Sequence, residues 1–349
     1  MPSHQAEDTV AIARFWREFQ QGLDAWNALP PHDRVPAWND WLADFHPELA
    51  FELSGREDQP PLKLILTAHG RSEHFPLLSA LVAQAPALPG YQLEAFRSRS
   101  QGTDFGISMD GMNLETRDLL VRHYADDGQV GLEIGFAEAI PEAKQDQAAG
   151  MAMIILDHVL GEYDFAVKVG CVDFVFPPEP LPAGAIPLNG FRPVFDAFWQ
   201  QDLGHTGLFP SSEQSWRGLE VSFPRHDGAD QEEISLVSVN ESANALAMRA
   251  DLAHALTLSL PVRCAATLEQ AQELQDNLAG QLEQRQEGIL AYTLLRGQQR
   301  HAVYYVSTPE EACAQARQML AREGLQEGAL DWEADCLWSS YFQFARLGA

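Results

Sequence analysis

Two clusters of ionisable residues have the types and spacing to move protons or hold a metal. The first is His69, Glu73 and His74, between a strand-like run, LKLILTAHG, and a helical one, EHFPLLSALVAQA. Histidine and carboxylate at a strand-to-helix junction are ingredients of acid–base catalysis or of a metal site. Their spacing matches neither HExxH nor another ligand pattern, and Glu73 at a helix start also serves simply as a charge partner of the helix dipole. The second cluster is Asp157, His158, Glu162 and Asp164, in LDHVLGEYDF. On a helix, the adjacent Asp157 and His158 point about 100° apart. His158 and Glu162, four apart, share a face as an ordinary surface pair. Arg97 and Arg99 leave an upstream strand and are available to pair with these acids. For both clusters a structural ion-pair network is the simpler reading, with a binding site as the functional one. The chain has no GxSxG, P-loop, dinucleotide-binding glycine pattern or CxxC, so no catalytic residue is assigned and no cofactor or metal is implied.

The elements that must position these groups are legible from periodicity. Ala148, Ala152, Ile155, Val159 and Leu160 recur at helical spacing, Met151 and Ile154 widen the stripe, and Gly161 ends the helix. Ile155 and Val159 are expected to be buried against the sheet containing LKLILTA, with Asp157 turned away or hydrogen-bonded. Phe165, Val167, Val169 and Cys171 then alternate with polar or small residues, which predicts a strand over 165–171. Upstream, Phe15, Trp16, Phe19 and Trp26, then Trp38, Trp41 and Phe45, form aromatic stripes on two helices and read as core. Strands are expected at 48–54, 62–70, 91–97, 118–125 and 130–137, the last two joined by Asp126, Asp127 and Gly128. Gly102, Gly106 and Gly111 read as loop.

Residues 177–190 hold five prolines and read as a linker, extended by a short helix and loop through 215. Beyond it come strands at 217–223, 232–240 and 252–262, a helix at 267–284, strands at 289–296 and 301–306, and a helix at 308–323. Thr308 is its N-cap and Glu311 stands at the capping-box position. A last strand region, WEADCLWSSYFQF, ends the chain. The expected class is α+β in two units, 1–176 and 216–349. Each is a mainly antiparallel sheet with helices on one face, and the second has the ferredoxin-like order β-α-β-β-α-β.

Composition narrows the function classes. The net charge is −27, with −15 in residues 1–175 and −12 in 176–349, so the excess is no acidic tail. Such a field disfavours direct nucleic-acid binding and suits solubility or docking on a basic protein partner. No apolar window is long and uncharged enough to span a membrane, and MPSHQAEDTV lacks a signal-peptide pattern, so a cytoplasmic location is expected. The four cysteines are far apart without metal-ligand spacing, and Cys171 and Cys313 fall on apolar faces as small core residues.

Trp16, HPELAFEL (46–53), LILTAHG (64–70), FPLLSALVAQAPALPGYQLEAFR (75–97) and LDHVLGEYDF (156–165) together resemble the bacterial domain-of-unknown-function 695 family over residues 12–176. The strand at Trp216, AYTLLRGQQRHAVYYV (291–306) and WSSYFQF (338–344) are similar to a second segment of the same group, over 216–345. More distantly, they resemble the regulator of ribonuclease E activity called B. The first resemblance implies no activity or catalytic residues. The second implies action by protein–protein binding. The two functional expectations are therefore a non-catalytic binding or regulatory protein acting through acidic surfaces, and a hydrolase or metal-dependent enzyme using His69, His74 and the acids of 157–164.

Overall fold

The computed structural model describes residues 3–56, 58, 61–177, 179, 183–210, 213–224, 232–325 and 327–347. The chain divides into two compact units, residues 1–195 and 196–349, and the class is α+β.

The first unit opens with helices α1 (Ser3–Asn27) and α2 (Pro31–Phe45), separated where Pro30 and Pro31 interrupt hydrogen bonding. Their aromatic stripes are core at Phe15, Trp16, Phe19 and Trp38, while Trp26 and Trp41 are half-buried and Phe45, expected in the core, is exposed. Phe15, Phe19 and Trp38 are fully buried, and Phe19 lies 5.0 Å from Phe51 of strand β1 (Ala50–Ser54) between ring centroids. Asn39 fixes α2 to β1 by exchanging two hydrogen bonds with the Phe51 backbone, at 2.7 and 3.1 Å. Strand β2 (Leu62–Thr67) pairs antiparallel with β1, crosses through α3 (Phe75–Ala83), and returns as β3 (Tyr91–Ala95), parallel to β2.

A hairpin of β4 (Gly106–Met109) and β5 (Met112–Glu115) occupies the stretch expected to be loop. Its strands are four residues each, too short for a period-2 signal to stand out. Strands β6 (Leu119–Asp126) and β7 (Gln129–Phe136) form the expected hairpin. A second parallel crossover then runs through α4 (Gln145–Leu160) and α5 (Glu162–Lys168) to β8 (Val169–Val175), which lies beside β7. Among the described residues the N-terminal strands thus form three sheets, β1-β2-β3, β4-β5 and β8-β7-β6-β9, with β9 at Ile186–Pro187, rather than one.

Two expectations fail around α5. Of the strand expected over 165–171, residues 165–168 are helix and only 169–171 are strand: Gly161, at φ 84°, breaks α4 and lets a new helix start on Glu162, with Asp164 in its first turn and Lys168 in its last. Phe165, Val167 and Val169 alternate as a strand would, but so short a run does not decide the period, and the charges at the two ends of 162–168 favour helix. Cys171, moved onto β8, is exposed rather than core, while Cys313 is buried as expected. Ile155 and Val159 are buried, and the hairpin β4–β5 and α5 are among the elements close to α4. The proline-rich stretch is not wholly a linker. Residues 178 and 180–182 lie outside the described ones, but β9 (Ile186–Pro187) pairs with β6, and Leu188 and Phe191 are buried. These apolar side chains draw the segment back onto the first unit, and the boundary falls within α6 (Phe191–Ala197).

After a π-helical turn, Phe198–Asp202, the second unit builds a six-stranded sheet. Its elements in chain order are β10 (Trp216–Pro224), β11 (Glu232–Asn240), β12 (His254–Pro261), α7 (Ala265–Gln284), β13 (Gly288–Arg296), β14 (Gln299–Val306), α8 (Pro309–Arg322), β15 (Ala329–Ala334) and α9 (Ser339–Ala345). The strand order is β10-β11-β13-β14-β12-β15, with every pairing antiparallel. From β12 onward the element order is β-α-β-β-α-β, as read from the sequence. Leu256, Leu258, Leu260, Tyr304 and Val306 pack against Leu274, Leu278, Ala316 and Leu320 of α7 and α8 in one core. Thr308 precedes α8 but caps no backbone N–H, so the expected capping box is absent. The final strand region also divides: β15 ends at Ala334, and Asp335 accepts from the N–H groups of Ser339 and Ser340, at 2.8 and 2.9 Å, to start α9. Among the described residues no helix is long and apolar enough to cross a membrane.

Candidate functional site: a cleft at the ends of two parallel strands

In the first unit β2 and β3 run parallel and end side by side, the kind of place where open α/β sheets leave a crevice. Both strands turn there through left-handed backbone, at His69 (φ 53°) followed by Gly70, and at Phe96 (φ 65°). Residues other than glycine adopt this conformation at a cost, so something must hold these turns. Glu162 holds them. Its fully buried carboxylate accepts from three backbone N–H groups: Ala68 (2.8 Å) and Gly70 (3.1 Å) on Oε1, and Arg97 (2.9 Å) on Oε2. Glu162 in turn donates its own N–H to the Arg97 carbonyl, at 2.9 Å. The approach needs a glycine at 161, where a Cβ would lie 3.3 Å from the Arg99 nitrogen and 3.4 Å from the Arg97 oxygen. The expected His158–Glu162 surface pair therefore does not exist. The break at Gly161 removes the helical register that the spacing assumed and sends Glu162 inward.

Arg97 and Arg99 pair with the acids as the sequence suggested. The Arg97 guanidinium donates from Nε to Glu52 at 3.0 Å, from its second terminal nitrogen to the other Glu52 oxygen, and from its first to Asp157 Oδ2. Burial works against the Arg97 charge, but the bond to Glu52 and the charges of Glu52 and Glu162 outweigh it and raise its pKa. Arg99 binds Asp164 at 2.7 Å and the Leu160 carbonyl at 2.9 Å; Lys168 meets the other Asp164 oxygen at 2.6 Å. Glu52, on β1, was not singled out from the sequence, because an acid on a short alternating strand reads as its solvent face.

Next to this network lies a cleft of about 560 Å³, within the size range of small-molecule sites. Its lining includes the polar side chains of His69, Arg97, Asp157 and His158 and the apolar ones of Met153, Ile154, Phe165, Val169 and Val172. Ile154 thus does not widen the buried stripe of α4: it is 40% exposed, beside Met153 at 37%. Asp157 Oδ1 is buried and has no hydrogen-bond partner.

The first cluster does not assemble. His69 lines the cleft, Glu73 is exposed, and His74 packs edge-on against His46 with ring centroids 4.9 Å apart. No group of three or more histidine, cysteine or acidic side chains among the described residues is placed to hold a metal ion.

Burial, then the Arg97 charge, lowers the His158 pKa from 6.5 despite Glu52; burial and His74 lower that of His46. A histidine harder to protonate when folded stabilises fully above its unfolded value, and that contribution is lost as pH falls through about 6.5 toward the folded value. The urea midpoint of the N-terminal unit is therefore expected to fall between about pH 7.5 and about pH 5, and His158→Gln to flatten the slope. An unchanged slope in the variant would show that His158 does not contribute.

Comparison with known protein families, with curated proteins and with solved structures finds no match.

Proposed function

We propose that this chain is a non-catalytic binding or regulatory protein that takes a ligand in the cleft of its N-terminal unit. One observation carries the reading: the acids around the cleft are held in ion pairs and backbone bonds while its apolar lining is open. Glu162 spends its oxygens on three backbone donors, Glu52 and Asp157 hold Arg97, and Asp164 holds Arg99 and Lys168. An exposed Met153–Ile154 pair suits binding by burial. The resemblance of the C-terminal unit to a regulator that acts by binding supports the same class. The net charge of −27 favours cationic partners, a basic protein among them. The hydrolase or metal-enzyme reading is less well supported, because His74 faces His46 rather than the cleft.

A neutral solvatochromic dye such as Nile red tests the reading. One equivalent should bind with enhanced fluorescence, and Ile154→Asp should weaken binding by roughly tenfold, the worth of one buried aliphatic side chain. Because Ile154 is 40% exposed, the variant should fold normally. Absence of saturable binding, or equal binding by the variant, would remove the cleft from consideration.

A further inference from the structure

We propose that the cleft selects a hydrophobic amine, with its ammonium group at the Arg97–Asp157 end and its apolar body along Met153, Ile154, Phe165 and Val172. The proposal rests on the binding reading above and names the ligand class.

Charge excludes the alternatives first. Arg97 is the cationic side chain of the cleft lining, and it already donates to two carboxylates, Glu52 and Asp157. The three groups together carry one net negative charge, within a chain of −27. A carboxylate or phosphate entering here would meet a guanidinium already satisfied by acids and a repulsive field. A cation is drawn in by the same field.

The second observation is the unpaired oxygen. Asp157, which lines the cleft, gives Oδ2 to Arg97, and its Oδ1 is buried and accepts nothing. Buried acceptors are rarely left so, and this one asks for an N–H donor. The terminal torsion of an aspartate is soft, so a small rotation offers Oδ1 to an incoming ammonium without moving the helix. A charge-assisted bond of this kind is stronger than a neutral one. His158 lines the same end, and its imidazole, kept neutral by burial and by Arg97, supplies a second acceptor.

Third, the spacing fits one molecule. Met153 and Ile154 stand four residues before Asp157 and His158, which places the exposed apolar pair about 6 Å along the helix from the polar pair. A ligand with a charged head and a body of several carbons spans that distance. Phe165 of α5 and Val172 of β8 add to the apolar lining.

Isothermal titration of the full chain with four octyl compounds tests the assignment. Octylammonium is expected to bind about tenfold more tightly than octanol, the size of one charge-assisted hydrogen bond, with octanoate weaker than octanol. Octyltrimethylammonium keeps the charge but has no N–H, and should fall back toward octanol. In Asp157→Asn the preference for amine over alcohol should shrink to about twofold or less. The assignment is overturned if octanoate or the trimethyl compound matches octylammonium, or if the amine preference survives in Asp157→Asn. The ligand series decides the matter in the unmodified protein even if that variant folds poorly. If alcohol and amine bind equally, and Ile154→Asp weakens both, the amine assignment fails while the binding cleft stands. If no octyl compound binds, both fall.

Discussion

Glu162→Ala is expected to destabilise the N-terminal unit by about 3–5 kcal/mol, the effect of leaving buried donors without their acceptor. Three N–H groups lose their partner at once, and two of them sit on turns that pass through left-handed backbone at His69 and Phe96. Glu162→Gln should cost less. Its remaining oxygen can still accept from Ala68 and Gly70, while its amide N–H₂ would face the Arg97 N–H, donor to donor. Urea unfolding followed by circular dichroism gives the values. A Glu162→Ala protein within about 0.5 kcal/mol of the parent, the range of ordinary surface changes, would mean that the carboxylate does not hold the turns.

The second large effect is expected in the other unit, at Trp338. Its indole is fully buried and stacks on Tyr305 with ring centroids 3.7 Å apart and planes within 9°; Nε1 donates to the Leu252 carbonyl at 2.9 Å. Trp338→Ala should cost about 3–5 kcal/mol through the cavity and the lost contacts. The backbone adds a sharper expectation, because Trp338 has φ 53°. Glycine adopts that conformation freely and alanine does not, so Trp338→Gly should be about 1 kcal/mol more stable than Trp338→Ala although it removes one more carbon. Chemical denaturation of the pair decides it. Alanine proving the better substitute would show that the left-handed backbone there carries no strain.

Long periodic segments were legible from the sequence. The limits of α4 and β11 match the structure, and the order of elements from β12 to α8 is as read. Phe15, Trp16, Phe19 and Trp38 of the aromatic helices fold as core because burial of such large apolar side chains outweighs the alternatives, while Phe45 at the end of α2 stays exposed. Short segments were not legible. The β4–β5 hairpin, α5 and α9 have four to seven residues per element, and each is fixed by tertiary partners rather than by its own pattern. The α9 helix starts because Asp335 caps it, and Asp335 is itself held by the Tyr305 hydroxyl at 2.6 Å from across the sheet. For the site, charge type was informative and geometry was not. That Arg97 and Arg99 meet the acids of 157–164 followed from charge alone. That Glu162 points inward, that Glu52 joins, and that His74 goes elsewhere depended on the Gly161 break and on which strands lie side by side.

The Glu162 anchor also sets an order of events for a chain that is made from one end. Its three donors lie 94, 92 and 65 residues before it. While the ribosome is still adding residues 98–161, the ends of β2 and β3 are already present and their N–H groups lack the acceptor. Contacts of such long sequence separation form late, and exposed strand ends are open to wrong partners until they do. A chain stopped before residue 162 keeps every strand of the first sheet and lacks the group that ties two of them off. The shortest self-sufficient piece of this protein is thus set less by where its first sheet ends than by how far downstream its fastening lies.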